Sequence, residues 1–259
     1  MTDTRYLLEL AESAALEAGQ AIMKVYRSGE FSAMIKPDKS PVTKADRNSQ
    51  AILLERLGKT NLPIISEEGA DIEFGKRKFW EYYWLIDPLD GTKEFISGNG
   101  EFTVNIALVR RDMPAGGVIY LPCTDAMYTG SKETGVYKRE KGKLTVFPPR
   151  AERNRLENLL ERRRITVAVS RSHLSADTKI FVSRFQHATL RPAGSSMKFM
   201  MLLENRADIY PRMGTTMEWD TAAGHAILNA SNRGVYQQDM GSELRYNKPD
   251  LRNPYFIAM

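Results

Sequence analysis

Two aspartates flank a proline directly after an apolar run, and this arrangement suits a metal site. Asp87 and Asp90 follow Trp84-Leu85-Ile86, with Pro88 and Leu89 between them. Pro88 fixes its own φ and keeps Asp87 out of helical geometry, so the backbone must turn sharply. Both carboxylates and the Leu89 carbonyl can then face one small volume, and three hard oxygen donors suit Mg²⁺. The simpler interpretation is an ordinary turn, because Asp, Pro and Gly are all turn formers.

The next two residues add a seat for an anion. Gly91 and Thr92 would open a helix, and the first N–H groups of a helix have no acceptors within it. Such groups bind phosphate oxygens. A metal beside a phosphate seat predicts phosphoryl chemistry.

Three further acidic positions stand where a strand or loop gives way to a turn or helix. Glu67-Glu68 ends a short apolar strand, Asp46 precedes a helical pattern, and Asp220 begins an apolar helix. Taken singly, Asp46 and Asp220 have a simpler interpretation as helix N-caps, and the glutamate pair as a solvated turn. Together with the turn at residues 87–90 they favour a metal cleft lined by carboxylates.

The elements around these residues predict an α/β fold in two halves. Apolar residues at three- and four-residue steps predict an amphipathic helix over residues 6–26. Strand-like segments and a hairpin at residues 135–146 follow, so residues 1–145 are predicted to form an α+β domain that carries most of the metal ligands. A polar helix at residues 151–163 then leads into alternating strands and helices. Residues 146–259 are therefore predicted to form an α/β domain that completes the metal site and binds the substrate.

Composition excludes several classes of protein. One cysteine among 259 residues rules out an intrachain disulfide and fits a reducing cytoplasm, and three scattered histidines give no zinc-type spacing. No apolar run is long enough to span a bilayer. Much of the net charge of +5 lies in residues 150–164, where arginines and glutamates mix as on a solvated helix face. The alternative to a solvated face is that this charge steers an anionic substrate or contacts anionic lipid loosely, and no nucleic-acid-binding module is present.

In combination, these motifs resemble the Mg²⁺-dependent, lithium-sensitive phosphatases of the inositol monophosphatase superfamily. The resemblance rests on Glu67-Glu68, on the turn at residues 87–92 and on the run from Trp219 to Gly224. Four segments are most similar to the CysQ-type 3′(2′),5′-bisphosphate nucleotidases of that superfamily: residues 91–95, 100–108, 169–173 and 194–198. The resemblance covers nearly the whole chain. It implies a layered α/β/α/β/α sandwich that holds two or three Mg²⁺ ions.

The resemblance also implies roles for single residues. The implied metal ligands are Glu67, Asp87, the Leu89 carbonyl, Asp90 and Asp220, and Glu68 would support Glu67 from behind. Asp46, Thr92 and Glu67 would position and deprotonate the attacking water. The implied substrate contacts are Glu67, Leu89, Asp90, Gly91, Thr92, Ser170, His173, Ser195, Lys198 and Asp220, of which His173 and Lys198 would bind a second phosphate. Without the resemblance, His173 is equally well a structural histidine.

The activity implied by the resemblance is hydrolysis of adenosine 3′,5′-bisphosphate to AMP and phosphate, with 3′-phosphoadenylyl sulfate as a further substrate. One alternative is an inositol monophosphatase or related sugar phosphate phosphatase that uses the same metal site. Another is a basic nucleic-acid- or lipid-binding protein whose carboxylates are structural. The expected partner is a small nucleotide bisphosphate and not a nucleic acid. The protein is expected to be cytoplasmic, a monomer or homodimer, with at most peripheral contact at the inner membrane face.

Overall fold

The computed structural model describes residues 3–29, 31–35, 41–172 and 174–259. The helices of these residues, in chain order, are α1 (Thr4–Ser28), α2 (Lys44–Gly58), α3 (Phe74–Arg77), α4 (Thr92–Ile96), α5 (Leu156–Leu160), α6 (Ala176–Val182), α7 (Met197–Leu203) and α8 (Glu218–Ala230). The strands are β1 (Ala33–Ile35), β2 (Pro41–Thr43), β3 (Ile64–Ser66), β4 (Tyr82–Asp90), β5 (Thr103–Arg110), β6 (Met113–Leu121), β7 (Ala126–Ser131), β8 (Gly135–Glu140), β9 (Lys143–Phe147), β10 (Ile165–Ser170), β11 (Ala188–Ala193), β12 (Tyr210–Arg212), β13 (Val235–Gln237) and β14 (Phe256–Ala258).

Strands β3 to β9 form one sheet, whose seven described strands lie side by side in chain order. β3 and β4 run parallel, and every later pair is antiparallel. Antiparallel neighbours need only short turns, so consecutive strands can pair directly. Because β3 and β4 are parallel and Ser66 pairs with Ile86, the next residues, Glu67 and Asp87, lie side by side.

The helix α1 confirms the helix predicted over residues 6–26 and extends it at both ends. Asp3 caps its start by accepting a hydrogen bond from Tyr6 N at 3.1 Å. The helix ends at Gly29, whose φ of 74° is the left-handed conformation that favours glycine. Although α1 has 25 residues, it is amphipathic, and no helix among the described residues is both long and apolar enough to cross a membrane.

Three hydrophobic cores lie between the layers. The first packs α1 and α2 on one face of the large sheet and includes Leu53 and Trp84. The second packs α7 and α8 on the opposite face and includes Phe199 and Ile227. The third joins α5 and α6 to β10 and β14, and it includes Phe181. These layers confirm the expected α/β/α/β/α sandwich.

The helix α8 lies unusually close to the large sheet. A Cβ atom on Gly117 of β6 would lie 2.4 Å from Ala223 O, so this position has no room for a side chain. Close approach fixes where α8 begins relative to the strand ends. It therefore positions Asp220, in the first turn of α8, over the sheet.

The polar helix predicted at residues 151–163 is wrong in extent. Only α5 is helical there, and residues 151–155 are not. The Arg153 guanidinium donates to Asn229 and Tyr236 and forms an ion pair with Glu243. These long-range bonds outweigh the helical pattern of charges and hold residues 151–155 against α8.

The predicted domain boundary between residues 145 and 146 falls inside β9. The helix α8, from the second half, packs against β5, β6 and β7 of the first half. Both halves thus contribute to one core. The division into two domains stays a prediction.

Candidate active site

An extra residue in β4 shapes the turn that carries the first two aspartates. Asp87 pairs with Asn105 of β5 and Asp90 pairs with Thr103, so β4 has one residue more than its partner between these pairs. A β-bulge of this kind tolerates Pro88 inside a sheet and changes the direction of its neighbours' side chains. The sharp backbone turn expected from the sequence is present as this bulge.

Three aspartates converge beside the bulge. Asp87, Asp90 and Asp220 each offer a carboxylate oxygen, and these three atoms lie within 4.8 Å of one another. Asp220 reaches the group from α8, where its Oδ2 accepts a hydrogen bond from Met217 N at 2.8 Å. Residues more than a hundred positions apart in the chain therefore share one small volume.

Glu67 joins this group from the neighbouring strand. It directly follows β3, and its backbone N donates to Ile86 O at 3.2 Å. The Glu67 carboxyl is hydrogen-bonded to Asp87 and acts electrostatically on Asp220 as well. The four carboxylates that the sequence predicts to meet do lie together.

Burial and mutual repulsion disfavour the charged form of these carboxylates. The pKa of Asp87 lies well above its ordinary value, chiefly because of burial and then because Glu67, Asp90 and Asp220 are close. The pKa of Asp220 is also well above the ordinary range, first through burial and then through Asp90 and Glu67. A divalent cation would remove the repulsion and replace the lost hydration. Since the donors are carboxylate and carbonyl oxygens, the residues fit Mg²⁺.

Asp46 holds Thr92 while it also stabilises the start of α2. Its Oδ2 accepts from Thr43 N at 2.7 Å and from Thr43 Oγ1 at 2.5 Å, and its Oδ1 accepts from Thr92 Oγ1 at 3.1 Å. Burial raises the pKa of Asp46, and the bonds from Thr43 and Thr92 oppose this rise. The interpretation of Asp46 as a plain N-cap is wrong, because Thr43 is the N-cap and Asp46 is its capping-box partner. From the same helix, Ser49 Oγ donates to Pro88 O at 2.6 Å and ties α2 to the bulge.

Gly91 permits the chain to pass from the bulge into α4. Its φ is 94°, and a Cβ atom there would lie 3.1 Å from Glu101 O. The helix α4 begins at Thr92, so the predicted helix start is confirmed. Binding of a phosphate at its N–H groups stays a prediction.

A network of hydroxyl and amide groups holds Asp90 from the other side. Asp90 Oδ2 accepts from Ser195 Oγ at 2.8 Å and from Asn105 Nδ2 at 3.2 Å. Thr103 Oγ1 lies 2.5 Å from Ser195 Oγ and 2.8 Å from Ser196 Oγ. Ser195 has a φ of 52°, a left-handed conformation that is uncommon for residues other than glycine. This conformation directs the Ser195 hydroxyl at Asp90.

A buried cation lies on the same wall as Ser195. Lys198 is 4% exposed, and its Nζ donates to Ala193 O at 3.2 Å and to Ser195 O. Burial lowers the pKa of Lys198 to about 8, while the negative charge of Asp90 opposes that shift. Arg212 also lines this wall and adds positive charge.

These groups surround one cavity of about 230 Å³. The predicted residues on its wall are Glu67, Asp87, Leu89, Asp90, Gly91, Thr92, Ser170, Ser195, Lys198 and Asp220. Asp46 contacts the cavity through Thr92. His173, which was predicted to bind a second phosphate, lies outside the described residues.

Sequence reasoning missed Thr103, Asn105 and Glu94 as members of the site. Thr103 and Asn105 lie two positions apart on β5, and alternation along a strand places such residues on one face. That spacing predicts a polar face on β5, but it does not predict which residues that face contacts. Glu94 is buried and accepts a hydrogen bond from Ser172 Oγ at 2.6 Å, a contact that only the tertiary structure shows.

Comparison with known proteins places the chain among phosphatases. It matches the sequence model described as the inositol monophosphatase family over residues 3–255. It is 38% identical to the 3′(2′),5′-bisphosphate nucleotidase CysQ of Escherichia coli (strain K12) over 254 residues, which covers 96% of this chain and 98% of that protein. The crystal structure of CysQ from Bacteroides thetaiotaomicron matches with 41% identity and a TM-score of 0.80, covering 96% of this chain and 95% of that one.

A more distant structure shares the fold. Inositol monophosphatase from Anabaena (Nostoc) sp. PCC 7120 is 24% identical, with a TM-score of 0.71 over 100% of this chain and 92% of that one. The family match spans nearly all of the chain, and the relatives are matched over nearly their whole length. The protein therefore belongs to the inositol monophosphatase family.

Proposed function

We propose that this protein is a Mg²⁺-dependent 3′(2′),5′-bisphosphate nucleotidase that hydrolyses adenosine 3′,5′-bisphosphate to AMP and phosphate. The observation that carries the proposal is a cavity with two unlike walls, one bearing Asp87, Asp90 and Asp220 and the other bearing the cation Lys198. The first wall suits a phosphate held through divalent cations, and the second suits a further anionic group. The similarity to proteins named CysQ nucleotidases supports the same substrate class.

Five groups would hold two or three metal ions. They are the carboxylates of Glu67, Asp87, Asp90 and Asp220 and the carbonyl of Leu89. Bound Mg²⁺ would supply positive charge that offsets the phosphate dianion and acidifies the attacking water. The raised pKa values of Asp87 and Asp220 support this assignment, because crowded carboxylates need a compensating charge.

Thr92 and Asp46 would orient the attacking water. The Thr92 hydroxyl donates its hydrogen to Asp46 Oδ1 at 3.1 Å, which leaves its oxygen lone pairs available to accept from water. Asp46 cannot turn away, since Thr43 holds its other oxygen. Water then attacks phosphorus in line, the bond between phosphorus and the ribose 3′ oxygen breaks, and that oxygen takes up a proton to give AMP.

Residues on the second wall would bind the remaining phosphate of the substrate. Lys198 uses two of its three ammonium hydrogens for Ala193 O and Ser195 O in the described contacts, so a third can reach a phosphate oxygen. Ser170 would donate its hydroxyl hydrogen to that phosphate, and Ser195 would line the wall while its own hydrogen is donated to Asp90 Oδ2. His173 belongs to the same proposal. The wall also accommodates the sulfated end of 3′-phosphoadenylyl sulfate as an alternative substrate.

The alternative, an inositol monophosphatase or sugar phosphate phosphatase, needs only the first wall. Lys198 opposes the rise of the Asp90 pKa, and as a cation on the cavity wall it also suits a second anionic group, which favours the nucleotidase. The single cysteine supports a cytoplasmic enzyme. We also propose that its partner is the small nucleotide substrate and that the protein is a monomer or a homodimer.

Phosphate release from a substrate panel tests this function. The panel contains adenosine 3′,5′-bisphosphate, 3′-phosphoadenylyl sulfate, inositol 1-phosphate and fructose 1,6-bisphosphate, each assayed with Mg²⁺ and with a chelator. We expect the adenosine bisphosphate to have the highest kcat/KM, AMP to be the organic product, and the chelator to abolish turnover. Asp220→Asn, purified in parallel, controls for contaminating phosphatases. A preference for inositol 1-phosphate would refute the nucleotidase assignment.

A further inference from the structure

One segment near the C-terminus connects two pieces of chain that carry proposed metal ligands. We call residues 246–253 the strap. On one side it contacts Arg77, which lies in the helix α3 that follows the Glu67 turn. On the other side it contacts Glu218, which lies in the first turn of α8 beside Asp220. The strap itself lines no part of the catalytic cavity.

Arg77 donates to three acceptors, one just before α3 and two in the strap. It is 2% exposed. Its Nε donates to Ile72 O at 3.0 Å, one terminal nitrogen donates to Asn247 Oδ1 at 2.8 Å, and the other donates to Pro249 O at 2.9 Å. Asn247 Nδ2 donates back to Arg77 O at 2.8 Å, so the two residues are joined in both directions.

The same asparagine begins the contact with α8. Asn247 N donates to Glu218 Oε2 at 2.6 Å, and Lys248 Nζ donates to Glu218 Oε1 at 2.5 Å. Glu218 N in turn donates to Leu251 O at 2.9 Å. Glu218 is fully buried, and its carboxylate is satisfied by the strap. The start of α8 is thereby tied to the strap by bonds to both its backbone and its first side chain.

The chemistry of Arg77 makes this connection rigid. The hydrogen-bond acceptors of its guanidinium are neutral oxygens, and the Phe74 ring centroid lies 5.2 Å from its central carbon, so the buried charge depends on correctly placed neutral groups. A buried ion is strongly unfavourable unless its hydrogen bonds are made. A planar guanidinium also fixes the directions of its donors. Any shift of the strap relative to α3 therefore breaks several bonds at once.

We propose that Arg77 and Asn247 are positioning residues that set the distance between Glu67 and Asp220 and so determine the affinity for divalent cations. Neither residue touches the cation. The inference rests on the proposed function, because it assumes that Glu67 and Asp220 bind the same metal cluster. Groups that hydrogen-bond directly to metal ligands typically change affinity by about 10- to 100-fold when they are removed. Arg77 and Asn247 act one step further out, through the segments that carry Glu67 and Asp220, so we expect the lower end of that range.

The substitution Asn247→Gly is the sharpest test. Asn247 has a φ of 59°, which glycine adopts without strain, so the change removes the side-chain bonds to Arg77 and little else. Asn61→Gly is the matched control, because Asn61 has a φ of 56° and lies at the opposite end of β3 from Glu67. Arg77→Lys provides a second variant that keeps the charge and loses the planar fork.

Mg²⁺ binding is measured by isothermal titration calorimetry, and the Mg²⁺ dependence of phosphate release is measured beside it. We expect Asn247→Gly and Arg77→Lys to raise the Kd for Mg²⁺ about tenfold, the lower end of the range for direct partners of metal ligands. Their kcat at saturating Mg²⁺ should stay within about threefold of wild type, and Asn61→Gly should bind Mg²⁺ as wild type does. If Asn247→Gly lowers only the thermal midpoint and leaves the Kd unchanged, the strap is merely structural and the inference is wrong. If the wild-type protein binds no Mg²⁺, the proposed function itself fails.

Discussion

The two walls of the cavity are built in different ways. Most of the acidic wall is local, because Asp87, Leu89, Asp90 and Thr92 come from six consecutive residues at one bulge, and Glu67 and Asp220 join it from other elements. The second wall is assembled from distant parts, with Ser195 before α7, Lys198 within α7 and Ser170 at the end of β10. A short stretch of chain can thus specify metal chemistry, while the choice of substrate depends on how the layers pack.

Charge divides the walls in the same way. The pKa values of the acidic wall are raised by burial and by mutual repulsion, whereas the pKa of Lys198 is lowered by burial. Each wall therefore favours a ligand that restores its charge. The acidic wall favours a divalent cation, and the cationic wall favours an anion. Asp90 belongs to both, since it lies with Asp87 and Asp220 and accepts a hydrogen bond from Ser195.

The largest effect should come from Asp90, where the walls join. We expect Asp90→Asn to lower kcat/KM for adenosine 3′,5′-bisphosphate by on the order of 10³-fold, the scale for losing one preorganised electrostatic group. Asp112→Asn is the control, because Asp112 is an exposed partner of Arg245 far from the cavity. Steady-state phosphate release measures both. A loss below about tenfold would show that the walls act independently.

An intermediate effect is expected from a substitution in the second wall, and it should differ between substrates with one and two phosphates. We expect Lys198→Ala to raise KM for adenosine 3′,5′-bisphosphate roughly 10- to 100-fold, the range for one charge-assisted hydrogen bond. Inositol 1-phosphate serves as the internal control, since its single phosphate occupies the acidic wall. An equal rise in KM for both substrates would show that Lys198 does not recognise the second phosphate.

The same lysine predicts a pH dependence. Its pKa is lowered to about 8, so Lys198 is charged below that pH and loses its charge above it. In wild type, KM for the bisphosphate should therefore rise above about pH 8, while KM for inositol 1-phosphate should not share this step. The step should be absent in Lys198→Ala.

The smallest effect concerns the acidic wall without its ions. Because burial and mutual repulsion raise the pKa values of Asp87 and Asp220, these carboxyls keep their protons to a higher pH in the metal-free protein, and Mg²⁺ binding must displace the protons they hold. Apparent Mg²⁺ affinity should thus fall as the pH is lowered. Calorimetry in two buffers of different ionisation enthalpy measures the protons released, and identical heats in both buffers would contradict the prediction.

Much of this arrangement was predictable from the sequence, and the rest follows from contacts between distant segments. The turn at residues 87–92 and the helix α1 were predictable because their signals are local, namely a proline between aspartates and a period of three to four. Thr103 and Asn105 were missed because a polar residue inside a strand gives no sign of what lies opposite. The polar helix at residues 151–163 failed because the bonds of Arg153 to α8 and β13 override the local pattern.

Asp46 is an exception to the usual trade-off between catalytic activity and the stability of the fold. Residues that serve chemistry often weaken a fold, so replacing them makes a protein harder to melt. The repelling pair Asp87 and Asp220 follows that rule in the absence of ions. Asp46 does not, since one carboxylate both anchors the first turn of α2 and holds the Thr92 hydroxyl. Replacing Asp46 would therefore lower the stability of the fold by about 1 kcal/mol and lower turnover at the same time, so one substitution penalises both properties.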